Sequence, residues 1–213
     1  MNPSRPPSAI SRFAARLARS RTDTTRKFAL VLAALLLITD HAWPRTGLLL
    51  AFLNTLGLIL VGIGTLGRVW AAMYISGYKE QALVTEGAYS IVRNPLYLFS
   101  FIGAVGVGCA TGSLVLIGLL ILGFFLYYPL TTLDEEQHLA ALHGQAYTDY
   151  LHRTPRFIPN FALFHEGETY PVNTRTYRRA FLDAVWFVWI YALLQLLDRL
   201  HAAGLLPALL RIP

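Results

Sequence analysis

From Asn94 to Leu133 the chain runs forty residues without an Asp, Glu, Lys or Arg, and a second uncharged run extends from Thr46 to Gly67. A helix needs about 20 apolar residues to cross a bilayer, so either run can span one. Thr111-Gly112 breaks the longer run into two helices. Soluble domains carry about 25% charged residues, against 14% here, with 55% hydrophobic residues. This composition excludes a soluble enzyme, a disordered tail protein and a disulfide-stapled secreted domain. Cys109 is the only cysteine, so no intrachain disulfide or Cys-based zinc site forms. The expected fold is all-α: a polytopic membrane protein of about five transmembrane helices, with residues 1–213 forming a single integral-membrane domain.

Five spans are expected. The first runs from about Thr24 to Ala42, anchored by Trp43 and stopped by Pro44; Asp40 and His41 lie at its far end. The second runs from Thr46 to about Met73, and Gly57, Gly62, Gly64 and Gly67 allow close helix contact. The third follows Pro95 and reaches about Cys109, with Gly103, Gly106 and Gly108 as its small-residue face. The fourth runs from Ser113 towards Leu139 with Pro129 inside it, and the fifth from about Arg178 to His201. Leu205 to Leu210 is too short to span and is expected on the surface.

Basic residues fix the expected orientation. Seven precede the first apolar run, in a flexible Pro/Ser/Arg-rich segment over residues 1–23 and the four that follow. With the N-terminus inside, fifteen of the 18 Lys and Arg residues fall on the cytoplasmic side. Only Arg45, Arg199 and Arg211 fall outside, so the C-terminus is expected on the opposite side. The +6 net charge then reflects anionic lipid rather than nucleic acid, because the basic segment, with Phe13 as its one aromatic residue, forms no aromatic-interleaved basic patch. The bias towards Arg over Lys and the abundance of Ala and Leu point to a bacterial inner membrane. Both long polar segments, Gly77–Pro95 and Asp134–Arg179, face the cytosol in this arrangement and are expected to close one site.

Three constellations carry chemistry. Gly87-Ala88-Tyr89 precedes Arg93-Asn94-Pro95-Leu96-Tyr97, where Pro95 suits a first helical turn and helix amides with Arg93 can hold an anion. Interface anchoring is the competing reading for this Arg and Tyr pair. Asp134-Glu135-Glu136 ends an apolar helix, where carboxylates oppose the macrodipole unless the helix continues or a cation pairs with them. Tyr147, Tyr150, Arg153 and Arg156 repeat at helical spacing, a face suited to a pocket or to the membrane surface. His138, His143 and His152 do not match metal-ligand spacing, so no metal is expected. Gly62-Ile63-Gly64-Thr65-Leu66-Gly67 lacks the preceding strand that a nucleotide loop requires.

In this order the residues resemble the isoprenylcysteine carboxyl methyltransferase and phospholipid methyltransferase superfamily of integral-membrane enzymes. The shared pattern is Gly87-x-Tyr89, Arg93-x-Pro95-x-Tyr97, Glu135-Glu136, Gly144-x-x-Tyr147-x-x-Tyr150, Arg153 and Pro159, a core over residues 84–159. Asn94 stands where the family has histidine; it keeps a hydrogen bond but is no base. The resemblance implies S-adenosylmethionine as methyl donor. It also implies a lipophilic or prenylated acceptor entering from the bilayer, most simply an isoprenylcysteine-like or isoprenoid carboxylate. A phospholipid amine acceptor, an NADPH-dependent sterol-reductase-like enzyme and a non-enzymatic transporter or scaffold are the alternatives. On the family reading Tyr89, Asn94, Pro95, Tyr97, Glu135, Glu136, Tyr147 and Tyr150 bind the cofactor, while Arg153, Glu136 and Arg93 carry catalysis. Arg153 is the first candidate for orienting an acceptor carboxylate, because a guanidinium matches a carboxylate bidentately.

Overall fold

The computed structural model describes residues 39–77, 82–207 and 210–212. Most of the first expected span, the segment over residues 1–23 and Lys79 lie outside the described residues. The far end of that span departs from expectation: Thr39–His41 is a short strand, β1, and not the last turn of a helix. It pairs in parallel with β2, Leu210–Ile212, in the register Asp40 to Arg211. Side-chain chemistry favours the extended form here. Asp40 is buried and accepts from Arg45 Nη2 at 2.8 Å, while His41 Nε2 lies 3.1 Å from Asp198 Oδ1. Arg45 Nε also donates to Asp198, at 3.3 Å. Burial raises the Asp40 pKa, but the hydrogen bond and charge of Arg45 outweigh it and hold the carboxyl below its ordinary value.

Helices lie at the positions of the other four expected spans: α1 (Leu48–Ile75), α3 (Pro95–Ala110), α4 (Leu114–His143) and α6 (Thr174–Ala202). Short α2 (Ala88–Ile91) and α5 (Gln145–Arg153) lie in the polar segments. Three helices, α1, α4 and α6, are long and apolar enough to cross a bilayer, which supports an integral-membrane location. Sixteen residues make α3 about 24 Å long, short of a ~30 Å hydrocarbon core. The thirty residues of α4 reach about 45 Å, so its last turns stand clear of that core.

Glycine backbones bring α1 and α3 into contact. A Cβ on Gly64 would lie 2.5 Å from the Gly103 backbone, and one on Gly106 would lie 2.7 Å from the Gly57 carbonyl oxygen. Gly62 faces open space and takes no part in this contact. With no hydrophobic drive between helices in lipid, such close packing carries the association. Gly64→Val is therefore expected to cost about 1–3 kcal/mol by forcing the pair apart, read as a lowered melting temperature in detergent. Polar groups join α1 to α6: Tyr191 donates to the Asn54 carbonyl at 2.8 Å, and Gln195 donates to Asn54 Oδ1 at 2.9 Å. Along α4, in contrast, Leu119, Leu122, Phe125 and Leu126 are exposed, so this helix has a broad lipid-facing side.

Candidate active site

The two polar segments meet at one end of the bundle. Arg93 N–H donates to the Pro155 carbonyl at 2.9 Å, Asn160 N–H to Ile91 at 2.9 Å, and Gly87 N–H to His165 at 2.8 Å. Together they close a cavity of about 310 Å³ against the ends of α1, α3 and α4.

Its floor is the start of α3. Pro95 takes the first helical position, and Asn94, the N-cap residue, makes no capping bond. The Asn94 side chain turns away instead, donating from Nδ2 to Tyr128 Oη at 3.3 Å. Pro95, Leu96 and Tyr97 thus present an uncapped helix N-terminus to the cavity, a favourable place for negative charge.

One wall is the polar end of α4. The helix continues to His143, so Glu135 and Glu136 sit two turns before its end and escape the unfavourable last carbonyls. Glu136 also has cations: Arg93 Nη1 lies 3.4 Å from its Oε1 and Arg156 Nε 3.3 Å from the same oxygen. Both conditions that make a carboxylate acceptable here are met. Glu135 lines the cavity exposed, with no ion pair among the described residues. Gly144, at φ 54°, ends α4 and starts α5.

The opposite wall is α5 packed on α2. Tyr147 and Tyr150 are buried with ring centroids 6.1 Å apart, and Tyr150 Oη donates to the Tyr89 carbonyl at 2.8 Å. Burial first, then the charge of Glu136, pushes the Tyr147 phenol up to about 12. Burial also raises Tyr89 and Tyr150. All three are neutral phenols at physiological pH and act as hydrogen-bonding groups and aromatic faces, not as bases.

The cavity therefore gathers Tyr89, Arg93, Asn94, Pro95, Tyr97, Glu135, Glu136, Tyr147 and Tyr150. Arg153 is not brought in. It ends α5 exposed, its Nε 3.4 Å from the Asp149 carbonyl, and lines a separate depression with Ser90 and His165. Tyr147 and Tyr150 take the inward face of this two-turn helix, which leaves its last residue on the rim.

Arg156, three residues on, takes the place beside Glu136. Spacing could not separate the two arginines, because Pro155 lies between them and breaks the helical register. Sequence reasoning also passed over Tyr128 and Thr132 on α4. Tyr128 Oη donates to the Arg156 carbonyl at 3.2 Å, and fully buried Thr132 accepts from Arg156 Nη2 at 3.1 Å. Both sit inside an apolar run with no periodic signal to mark them. His143 Nε2 is buried in the cavity wall without a partner among the described residues. The spacing of His138, His143 and His152 speaks only to metal binding and does not mark His143 as a cavity residue. Among the described residues, the one three-ligand His/carboxylate cluster is Asp40, His41 and Asp198, and Arg45 already occupies it.

A family model described as Phospholipid methyltransferase matches residues 45–146, which span α1 through the start of α5 and include most of the cavity. A nickel-cobalt-cadmium resistance protein, NccN, of Alcaligenes xylosoxydans xylosoxydans is 39% identical, covering 83% of each chain. The chain belongs to the phospholipid and isoprenylcysteine methyltransferase superfamily. This assigns S-adenosylmethionine-dependent methyl transfer as its chemistry. A cobalt-zinc-cadmium resistance protein, CzcN, of Cupriavidus metallidurans is 35% identical, over 92% of this chain and 90% of its own. A protein-S-isoprenylcysteine O-methyltransferase of Schizosaccharomyces pombe is 37% identical over 38% of this chain and 34% of its own. No solved structure shows a significant match.

Proposed function

We propose that the protein transfers a methyl group from S-adenosylmethionine to an anionic, lipophilic acceptor entering from the bilayer, an isoprenylcysteine-like or isoprenoid carboxylate. The observation that carries this reading is the cavity itself. Four tyrosines and two glutamates surround it, at the end of helices whose outer faces meet lipid. Its residues fit the cofactor. Glu135 and the tyrosine faces suit a cationic group, and the uncapped start of α3 with Arg93 suits a carboxylate. The unpartnered His143 Nε2 is free to bond a polar edge.

S-adenosylmethionine supplies an activated sulfonium methyl. The protein therefore has to align donor and acceptor in line and keep water out. The acceptor carboxylate is already anionic at neutral pH and requires no base. That suits a cavity whose phenols stay protonated and whose Asn94 replaces a titratable side chain. An amine acceptor would have to lose a proton, and the Glu136 carboxylate beside the cavity is already engaged by the Arg93 and Arg156 guanidinia. By the positive-inside asymmetry the cavity faces the cytosol and the N-terminus is cytoplasmic. The relatives named for metal resistance do not redirect this reading, since the one three-ligand His/carboxylate cluster among the described residues is already paired with Arg45.

Methyl-labelled S-adenosylmethionine incubated with the protein in native membrane extract is expected to label a lipophilic ester. Transfer should be flat with pH from about 6 to 9, because no proton leaves the acceptor. An activity that rises with pH and labels an amine would exclude the carboxylate acceptor. Calorimetric binding of NADPH in place of S-adenosylmethionine would exclude methyl transfer.

A further inference from the structure

Arg93 and Arg156 share one carboxylate oxygen, Glu136 Oε1, at 3.4 and 3.3 Å. Two cations on one anion leave the cluster with a net charge of +1. Both contacts are longer than the roughly 2.7–2.9 Å of a tight charge-assisted hydrogen bond. Arg156 commits Nη2 to Thr132, and its Nη1 has no partner among the described residues. Its side chain is 36% exposed. This guanidinium has room for a second anion.

Arg156 also stands at the head of an aromatic wall. The neighbouring Phe157 ring lies 5.8, 6.1 and 5.3 Å from Phe124, Phe125 and Tyr128. Phe125 is half exposed on the lipid-facing side of α4. At the other end, Tyr128 accepts from Asn94, which lines the cofactor cavity, whereas Arg156 does not line it. The wall therefore connects lipid to the cavity, with an unsaturated cation at its polar end.

We infer that Arg156 determines acceptor specificity. The acceptor is an amphiphile whose isoprenoid-like chain lies along Phe124, Phe125 and Phe157, and whose carboxylate takes the Arg156 guanidinium from Glu136. Charge complementarity selects this occupant over a neutral or cationic lipid, which would leave the +1 cluster uncompensated or repelled. The inference rests on the methyltransferase reading. In the transfer, a carboxylate oxygen forms a bond to the methyl carbon, the sulfur–carbon bond breaks with its electron pair returning to sulfur, and no proton moves. The ester product carries no charge, so its hold on Arg156 is lost and release follows.

The test uses the full chain in phosphatidylcholine nanodiscs, with a farnesyl thioether carboxylic acid and its primary amide as probes. The wild type is expected to bind the acid about tenfold or more tightly than the amide, the scale of one charge-assisted contact. Arg156→Gln should abolish that preference and raise the acceptor KM, the change expected of a residue that binds the acceptor. Arg156→Lys, which keeps the charge, should retain part of the preference and guards against a folding defect in the glutamine variant. An acid preference that survives in Arg156→Gln, or one that Arg153→Gln abolishes instead, overturns the assignment. So does a wild type that binds acid and amide equally. Absence of S-adenosylmethionine binding by the wild type would overturn the methyltransferase reading separately, because the acid–amide comparison requires no turnover.

Discussion

Replacing Gly87 by alanine is expected to unravel the cavity and cost about 2–6 kcal/mol, the sum of backbone strain and overpacking. Gly87 sits at φ 58°, ψ −124°, a conformation that L side chains rarely adopt. Its missing Cβ matters as much: an added methyl carbon would lie 1.9 Å from Tyr74 Cζ. Tyr74 cannot yield cheaply. Its hydroxyl donates to Glu166 Oε2 at 2.9 Å, and its ring packs on Tyr170 at 4.7 Å. Displacing the ring therefore pulls residues 165–170 from the turn that Gly87 N–H itself joins at His165. Thermal unfolding in detergent and S-adenosylmethionine titration would both register the change. Gly144→Ala separates the two causes, because Gly144 has a positive φ but open space around it. It should show the strain component alone. Near-wild-type stability of Gly87→Ala would mean that Tyr74 does not close this side of the site.

The second large effect is expected from Glu136→Gln. This carboxylate is the one partner that Arg93 and Arg156 share, with side-chain exposures of 17%, 18% and 36% for Glu136, Arg93 and Arg156. Breaking a fully buried pair costs about 3–5 kcal/mol, and partial solvation lowers that to about 2 kcal/mol here. Binding should change more selectively. The neutralised side chain leaves two uncompensated guanidinia beside the cavity, which oppose the sulfonium of S-adenosylmethionine but not its uncharged thioether product. Affinity for the donor is expected to fall about tenfold, or roughly 1.4 kcal/mol, with a smaller loss for the product. Adding Arg93→Gln removes one of the cations and should recover part of the donor affinity, a coupling that a double-mutant cycle measures. Equal losses for donor and product would show that Glu136 acts by shape or hydrogen bonding and not through charge.

Much of the site was legible because its motifs are local. Gly87 through Tyr97 form one turn and one helix start, Glu135 and Glu136 are neighbours on α4, and Tyr147 and Tyr150 share one face of α5, so each motif could be read locally and the family resemblance grouped them. Arg153 and Arg156 were not separable in that way. Helical periodicity ends at Thr154, and the direction of a side chain beyond a helix end is set by what packs against it. For Arg156 those groups are Glu136 and Thr132, twenty or more residues away.

Hydropathy by itself determined that α1, α4 and α6 are long apolar helices, since lipid leaves the backbone no partner but its own helix. The spacing of glycines likewise marked the close contact of α1 with α3, with two exceptions: Gly62 turns to open space, and Gly108 faces Ile117 of α4. The extended conformation of Thr39–His41 was decided by tertiary structure: its strand partner lies at Leu210–Ile212 and its ionic partner at Asp198. The pairing of one carboxylate with two guanidinia was decided the same way. Charge counts along a sequence give the number of each sign, while folding alone fixes which of them come within a few ångströms, where the Coulomb energy is large enough to matter.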